Sequence, residues 1–307
     1  MMPRLLRPRR GQSAFALVLV LLVVALLAVL VADMASSAWL SRREARNYTQ
    51  DAQYAAATDG VLRMLGGTLF DPDTPLLTRL NIVQEGLHAL PVGDTVVDVV
   101  VEDENGKLNV NAPASGGAAA AQAWRKELAA LCSTIGAGPD LAAAIPKMAV
   151  SPGLSGASAT KRVAFLEELR ALRGVTEQTL YGDAGKPETL DRALGRFMTT
   201  WGPGLVNVNT ATPEVLRAVL SGVATGLADQ IVRGRALKPY ESIDEVLAMV
   251  NADSATQARL RGRLTTAVGV CQVTVISQQD GALRMTRAIL EPGARQRGVV
   301  RICRRCR

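Results

Sequence analysis

Nineteen consecutive residues, Ala14 to Ala32, carry no charge, and Arg4, Arg7, Arg9 and Arg10 stand ahead of them. As a helix this run spans about 28 Å at 1.5 Å per residue, close to the hydrocarbon thickness of a bilayer. Beyond it the helical pattern continues in amphipathic form. Ala35, Trp39, Ala45, Tyr48, Ala52, Ala55, Ala56, Leu62 and Leu65 recur, and no Pro or Gly falls between Phe15 and Asp59. Gly66-Gly67 reads as the stop. The pattern predicts one long helix over 15–67, with 15–32 as its membrane part and 1–14 as a basic leader.

Further on, the period changes. Thr95 to Asn111, TVVDVVVEDENGKLNVN, places β-branched runs around Asn105-Gly106, a strong hairpin signal. Val270 to Leu290 repeats that grammar around Asp280-Gly281. Between them the chain is rich in Ala, Leu, Glu and Arg at helical spacing. Two strand pairs bracketing a helical block predict an α+β fold: a long N-terminal helix packed on an antiparallel sheet, with a large all-helical domain inserted between strands. The boundaries are 68–112 for a loop and the first strands, 113–268 for the insertion, 269–291 for the closing strands and 292–307 for a basic tail. Domains strung in series are the competing layout. The expected core of the insertion is Leu128, Leu131, Ile145, Phe165, Leu169, Leu216, Val219, Ile231, Ile243 and Val246.

The insertion contains an internal echo. Leu108-Asn109-Val110-Asn111-Ala112 matches Val206-Asn207-Val208-Asn209-Thr210-Ala211 in kind. Gly136 to Ile145 then pairs with Gly222 to Ile231, and Phe165 to Val175 with Tyr240 to Val250. Asn209, Thr210 or Thr212 can cap the helix that opens at Pro213. The second copy resembles a helix-hairpin-helix module, whose glycine turn offers backbone N–H groups to a DNA phosphate. The match is partial, with Ala224 in place of a Gly and Gly226 and Leu227 where a basic residue often sits.

Composition narrows the function. Apolar residues make up 48% of the 307 and aromatics only 4%, so the core rests on Ala, Leu and Val. The net charge of +7 is concentrated at the two ends, which is weak support for a nucleic-acid groove. Cys132, Cys271, Cys303 and Cys306, with the single His88, do not form the spacing of a zinc site. The cysteines are one disulfide, of open pairing, or free thiols. No GxSxG, HExxH or P-loop is present, so the chain reads as non-enzymatic. Glu167-Glu168 beside Arg170 and Arg173 reads as a solvated helix face, and Glu102-Asp103-Glu104 as a surface run beside a turn. His88 is placed in a mixed loop.

The basic leader, small residue and apolar run from Phe15 resemble the prepilin-like leaders of the type IV pilin and type II secretion pseudopilin superfamily. There a membrane peptidase cuts before the apolar run. The best match puts the cut between Ala14 and Phe15, with Gly11 and Gln12 as the alternative. The family's usual Glu, fifth after the cut, is replaced by Leu19. That absence, with ENGKLNVN, the helical insertion, VNVNTATPEVL and the closing strands, resembles the protein K family of minor pseudopilins. The resemblance implies a non-enzymatic part at the tip of a pseudopilus that supports export across the outer membrane. The implied partners are other minor pseudopilins, the prepilin peptidase and the inner membrane, with no nucleic acid. It also implies a cytoplasmic N-terminus, a periplasmic bulk and structural calcium in the helical region, with ligands left unplaced. A membrane-anchored DNA-binding protein is the alternative.

Three fates of the N-terminus differ in mass. The leader reading expects the mature chain to begin at Phe15, with the apolar run retained. Mass spectrometry of the mature N-terminus checks this; a start at Ser36 or later indicates an ordinary secretory signal.

Overall fold

The computed structural model describes residues 10–111, 117–150, 162–183, 185–223, 226–250, 252–279, 282–292 and 303–306. The chain divides into two compact units, Met1–Ala56 and Ala57–Arg307. Helix α1, Arg10–Leu69, runs through that boundary. Along the apolar run it is exposed on all sides, including Phe15, Leu17, Leu21, Leu26 and Leu30. An α-helix satisfies its own backbone groups and so tolerates an apolar solvent. This one is long and apolar enough to cross a membrane.

In the second unit α1 becomes a core element, with Val61, Leu62, Leu65 and Leu69 buried on one stripe. The helix ends two residues later than Gly66-Gly67 suggests. Burial of Leu69 holds the last turn, and Pro72 follows. Residues 68–112 are also not simply loop and strands. They contain α2, Leu76–Glu85, which packs against the sheet through buried Leu80.

The main sheet is built from β1, Leu87–Val92, and β2, Thr95–Asp103, then β7, Cys271–Gln279, β8, Ala282–Leu290, and β9, Cys303–Cys306. Their spatial order is β1-β2-β7-β8-β9, and all neighbours run antiparallel. Strand β2 alternates strictly, with Thr95, Val97, Val99, Val101 and Asp103 on the buried face. Val273 and Val275 of β7 are buried likewise.

The insertion lies between β2 and β7. Its first lobe runs from β3, Leu108–Asn109, through α3, Gly117–Ile135, and α4, Pro139–Val150. A 3-10 turn, Leu166–Ala171, then leads to α5, Glu177–Tyr181, α6, Pro187–Leu190, α7, Leu194–Phe197, and β4, Met198–Thr199. The second lobe repeats the plan: β5, Val206–Asn207, α8, Pro213–Val219, α9, Leu227–Leu237, α10, Ile243–Leu247, α11, Ser254–Arg261, and β6, Leu264–Thr265. Each lobe is closed by a parallel two-stranded ladder, β3 with β4 and β5 with β6. One continuous hydrophobic core joins the lobes. Eight of the ten residues expected in that core are buried, while Phe165 and Ile243 are half-buried.

The Asn-Gly hairpin does not form. Glu104–Gly106 is a 3-10 turn, and the strand after it pairs in parallel with β4 rather than back onto β2. Asn-Gly hairpins need positive φ at both central residues. Here Gly106 is not in that region, and it serves close approach instead: a Cβ there would lie 3.1 Å from Thr210 Oγ1. A two-residue hairpin at Gly93-Asp94, with Gly93 at φ 59°, joins β1 to β2, while Asp280-Gly281 lies outside the described residues. His88 is therefore on a strand, not in a loop.

Asp103 and Cys271 are register partners at the ends of β2 and β7, so the insertion leaves and returns at one place. Replacing 104–270 by a two-residue turn is expected to keep a cooperative thermal transition and strand circular dichroism. Aggregated or non-cooperative product would show that the lobes hold the sheet together.

Candidate functional site

The polar centre of the molecule is built at the root of the insertion. By period 2 from Val97, Val99 and Val101, the Asp103 side chain must point inward. It is buried, as is Glu104, so Glu102–Glu104 is not the surface run its charge suggests. Asp103 Oδ1 accepts from the N–H of Asn105 at 3.0 Å and of Gly269 at 3.4 Å. Its Oδ2 accepts from Asn207 Nδ2 at 2.7 Å and Thr210 Oγ1 at 2.8 Å. Burial raises the Asp103 pKa above the ordinary carboxylate value, outweighing those four donors. Glu104 accepts from Thr199 Oγ1 and pairs with Lys107 at 2.8 Å, and Lys107 also reaches Glu102 at 2.9 Å. Burial alone would lower Lys107; Glu104 and Glu102 outweigh it and raise the ammonium pKa.

The paired asparagines do the same work twice. Asn111 N–H donates to Asn109 Oδ1, and Asn209 N–H to Asn207 Oδ1. Asn111 Oδ1 accepts from Val163 N–H while its amide donates to Val163 O at 2.7 Å. Asn209 treats Tyr240 identically, at 2.9 Å for both bonds. Glu168 Oε1 accepts from the N–H groups of Ala164 and Phe165, as Glu245 Oε1 does from Glu241 and Ser242. The echo is thus a structural duplication, but its register differs from the sequence reading by two residues. Val163, not Phe165, is the counterpart of Tyr240. Glu168 is accordingly a helix-start cap, and Glu167 accepts from Tyr181 Oη at 2.5 Å, so neither belongs to a merely solvated face.

A second buried charge bridges the lobes. Glu127 of α3 faces Arg263 at 2.8 Å and Arg259 at 3.6 Å. Burial raises its pKa despite both guanidinium groups. Arg235 donates to the carbonyls of Val208 and Ala211, tying α9 to the Asn turn. No local motif announces these long-range contacts.

Helix α8 opens on Thr212, whose Oγ1 accepts from Val215 N–H. Between α8 and α9, Gly222 and Gly226 take left-handed φ values of 77° and 80°, as Gly136 and Gly138 do between α3 and α4. Ala224 lies outside the described residues. At the start of α9 the place a phosphate would take is bordered by Asp229, and Arg217 is engaged with it at 2.8 Å. A carboxylate there repels a phosphate, and nothing supports DNA binding by this turn. The α3–α4 turn borders an apolar groove of about 1170 Å³, lined by Ala129, Cys132, Pro139, Ala142 and Pro146 among others.

Cys132 and Cys271 are buried and free. Burial pushes the Cys132 thiol up to about 11 and raises Cys271 well above its ordinary value, so both are unreactive thiols. Cys303 and Cys306 lie on β9. Among the described residues no three His, Cys, Asp or Glu side chains converge as a cation site, and Asp103 and Glu104 spend their oxygens on protein donors. Gly11, Gln12, Ala14, Phe15 and Leu19 all lie on α1, with Phe15 and Leu19 exposed.

Asn209→Ala would orphan the buried Tyr240 N–H, and Asn111→Ala that of Val163. Each is expected to cost about 1–3 kcal/mol in urea unfolding. Glu127→Ala leaves half-buried Arg263 without its carboxylate and is expected to cost about 3 kcal/mol. With its folded pKa raised, Glu127 contributes stability in full below its ordinary value of 4.5 and loses it as pH rises through the folded value. Glu127→Gln should flatten that part of the stability–pH profile.

Comparison with known proteins agrees with this architecture. Residues 206–267, β5 through β6 and thus the whole second lobe, match the family model of type II secretion system (T2SS), protein K. No curated protein matches the chain in sequence. In fold, the chain is similar to a chain in the crystal structure of the GspK-GspI-GspJ complex from the enterotoxigenic Escherichia coli Type 2 Secretion System. Identity is 17%, the TM-score is 0.59, and the likeness covers 85% of this chain and 96% of that one. The family match is confined to the second lobe, and the likeness in fold extends over most of the chain.

Proposed function

We propose that this chain is a membrane-anchored structural subunit that joins other minor pseudopilins at the tip of a pseudopilus and so supports protein export. One observation carries the reading: an exposed apolar helix is followed, after α2, by a small sheet that is interrupted, between β2 and β7, by a two-lobed helical block. The helix supplies the anchor and the stem. The block supplies bulk that obstructs a further layer of subunits. Leu19 adds to this. A buried carboxylate needs a partner, and a subunit without one at this place has no charge to offer the amino terminus of a neighbour above.

The proposed orientation follows the charges. Arg4, Arg7, Arg9 and Arg10 keep the N-terminus cytoplasmic, and the bulk lies in the periplasm with α1 in the inner membrane. A prepilin peptidase would remove the leader before Phe15. The chain's role is assembly, with its carboxylates engaged in holding the fold. The complex in the similar structure, with GspI and GspJ, is the model for its partners.

The expected outcome of co-expression with the other minor pseudopilins of the same cell is a stable complex by pull-down and size exclusion. The substitution Leu19→Glu should permit subunits to add above and weaken tip placement, read as longer or mislocated pseudopili. A chain that never co-purifies with pseudopilins, yet binds duplex DNA tightly at physiological salt, would overturn the proposal.

A further inference from the structure

The first unit of α1 holds a charged and aromatic stripe that the apolar run does not explain. Trp39 and Leu40 are 61% and 52% exposed on the helix surface. Arg43 stacks its guanidinium over the Trp39 ring, 5.4 Å from the centroid. At about 100° per residue, Arg42, Arg43 and Arg46 all fall within about 60° of Trp39 around the helix. The carboxylates of this stretch, Asp33, Glu44 and Asp51, cluster about 120–140° away. The two signs are therefore segregated, with the only tryptophan of the unit inside the basic sector.

Its height along the helix is equally specific. Trp39 lies about 10 Å beyond Ala32, the end of the uncharged run, and helical side chains lean back toward the N-terminus. The ring thus reaches the layer of about 5–8 Å that headgroups occupy on each side of the hydrocarbon core. Amphipathic aromatic rings favour that layer, and arginines just outside it meet anionic lipid within a Debye length of about 8 Å.

We propose that Trp39, Arg42, Arg43 and Arg46 form a lipid-headgroup stripe that rests on the anionic bilayer surface from which α1 emerges, and so fixes the depth and rotation of the helix. This rests on the reading of α1 as a membrane anchor. The stripe follows the apolar span on the same unbroken helix, and its charge complements an anionic headgroup. The alternative occupant, a helix of another subunit, is an outcome of the test.

The experiment uses the full chain reconstituted in vesicles of phosphatidylethanolamine with phosphatidylglycerol, or with phosphatidylcholine in its place. Retention after alkaline wash and flotation tests the anchor. The Trp39 signal is taken as the difference between the chain and its Trp39→Phe variant, and is quenched with lipids brominated near the headgroup or deep in the acyl chain. Shallow quenching is expected to exceed deep quenching, and to be about twofold greater with phosphatidylglycerol present. Replacing the three arginines by R42Q, R43Q and R46Q together should abolish the dependence on anionic lipid. These positions are exposed, so the variants should keep the melting temperature of the parent. Release from vesicles would overturn the anchor reading and the stripe with it. Retention with Trp39 unquenched, quenched mainly from deep positions, or indifferent to anionic lipid would overturn the stripe alone. If quenching is lost only when other pseudopilins are added, the surface belongs to a subunit helix instead and the lipid assignment fails.

Discussion

Asp103 is the residue on which the connection of sheet to insertion depends. It stands at the end of β2, where the chain leaves the sheet, and one carboxylate gathers donors from the departing turn, the second lobe and the returning segment at Gly269. A buried carboxylate with fewer donors would be costly, so these groups must stay assembled. The same constraint explains the small residues around it. A side chain at Gly202 would lie within 3.0 Å of Asn105 Oδ1, and Gly106 is pressed against Thr210. At Gly106 glycine supplies close approach alone, while Gly202 combines it with a left-handed φ of 82°.

The duplicated lobes follow from that root. Each begins with a strand residue and an asparagine pair, and each asparagine pair fixes a distant backbone segment by bonds in both directions. An amide is suited to this because it donates and accepts from one plane. The lobes then share one core and the Glu127–Arg263 pair. Two similar units thus share a common apolar centre, and their buried charges are spent on joining them.

The N-terminal helix answers to a different solvent. Along the uncharged run to Ala32, α1 is apolar all round; in the second unit its apolar residues Val61, Leu62, Leu65 and Leu69 are buried on one stripe. The change of pattern along one unbroken helix separates a stretch long and apolar enough to cross a membrane from one that packs on protein.

The sequence by itself determined whatever depends on local period. The uncharged run, the strict alternation of β2, the closing strands and the repeated Asn-x-Asn units were all legible, because helix and strand periods are written in neighbouring residues. The alternation from Val97 also points Asp103 inward, but its charge led to a surface reading that the structure corrects. Only the tertiary structure decided what depends on partners far along the chain. Asn105-Gly106 closes no hairpin because the following strand finds β4, some ninety residues on, and because Thr210 crowds Gly106. The two-residue shift between the lobes, the cap made by Glu168, the bridge from Glu127 to Arg263 and the union of both strand pairs in one sheet each require contacts that no local pattern encodes. Such contacts are fixed by which buried polar groups can satisfy one another once the core has closed.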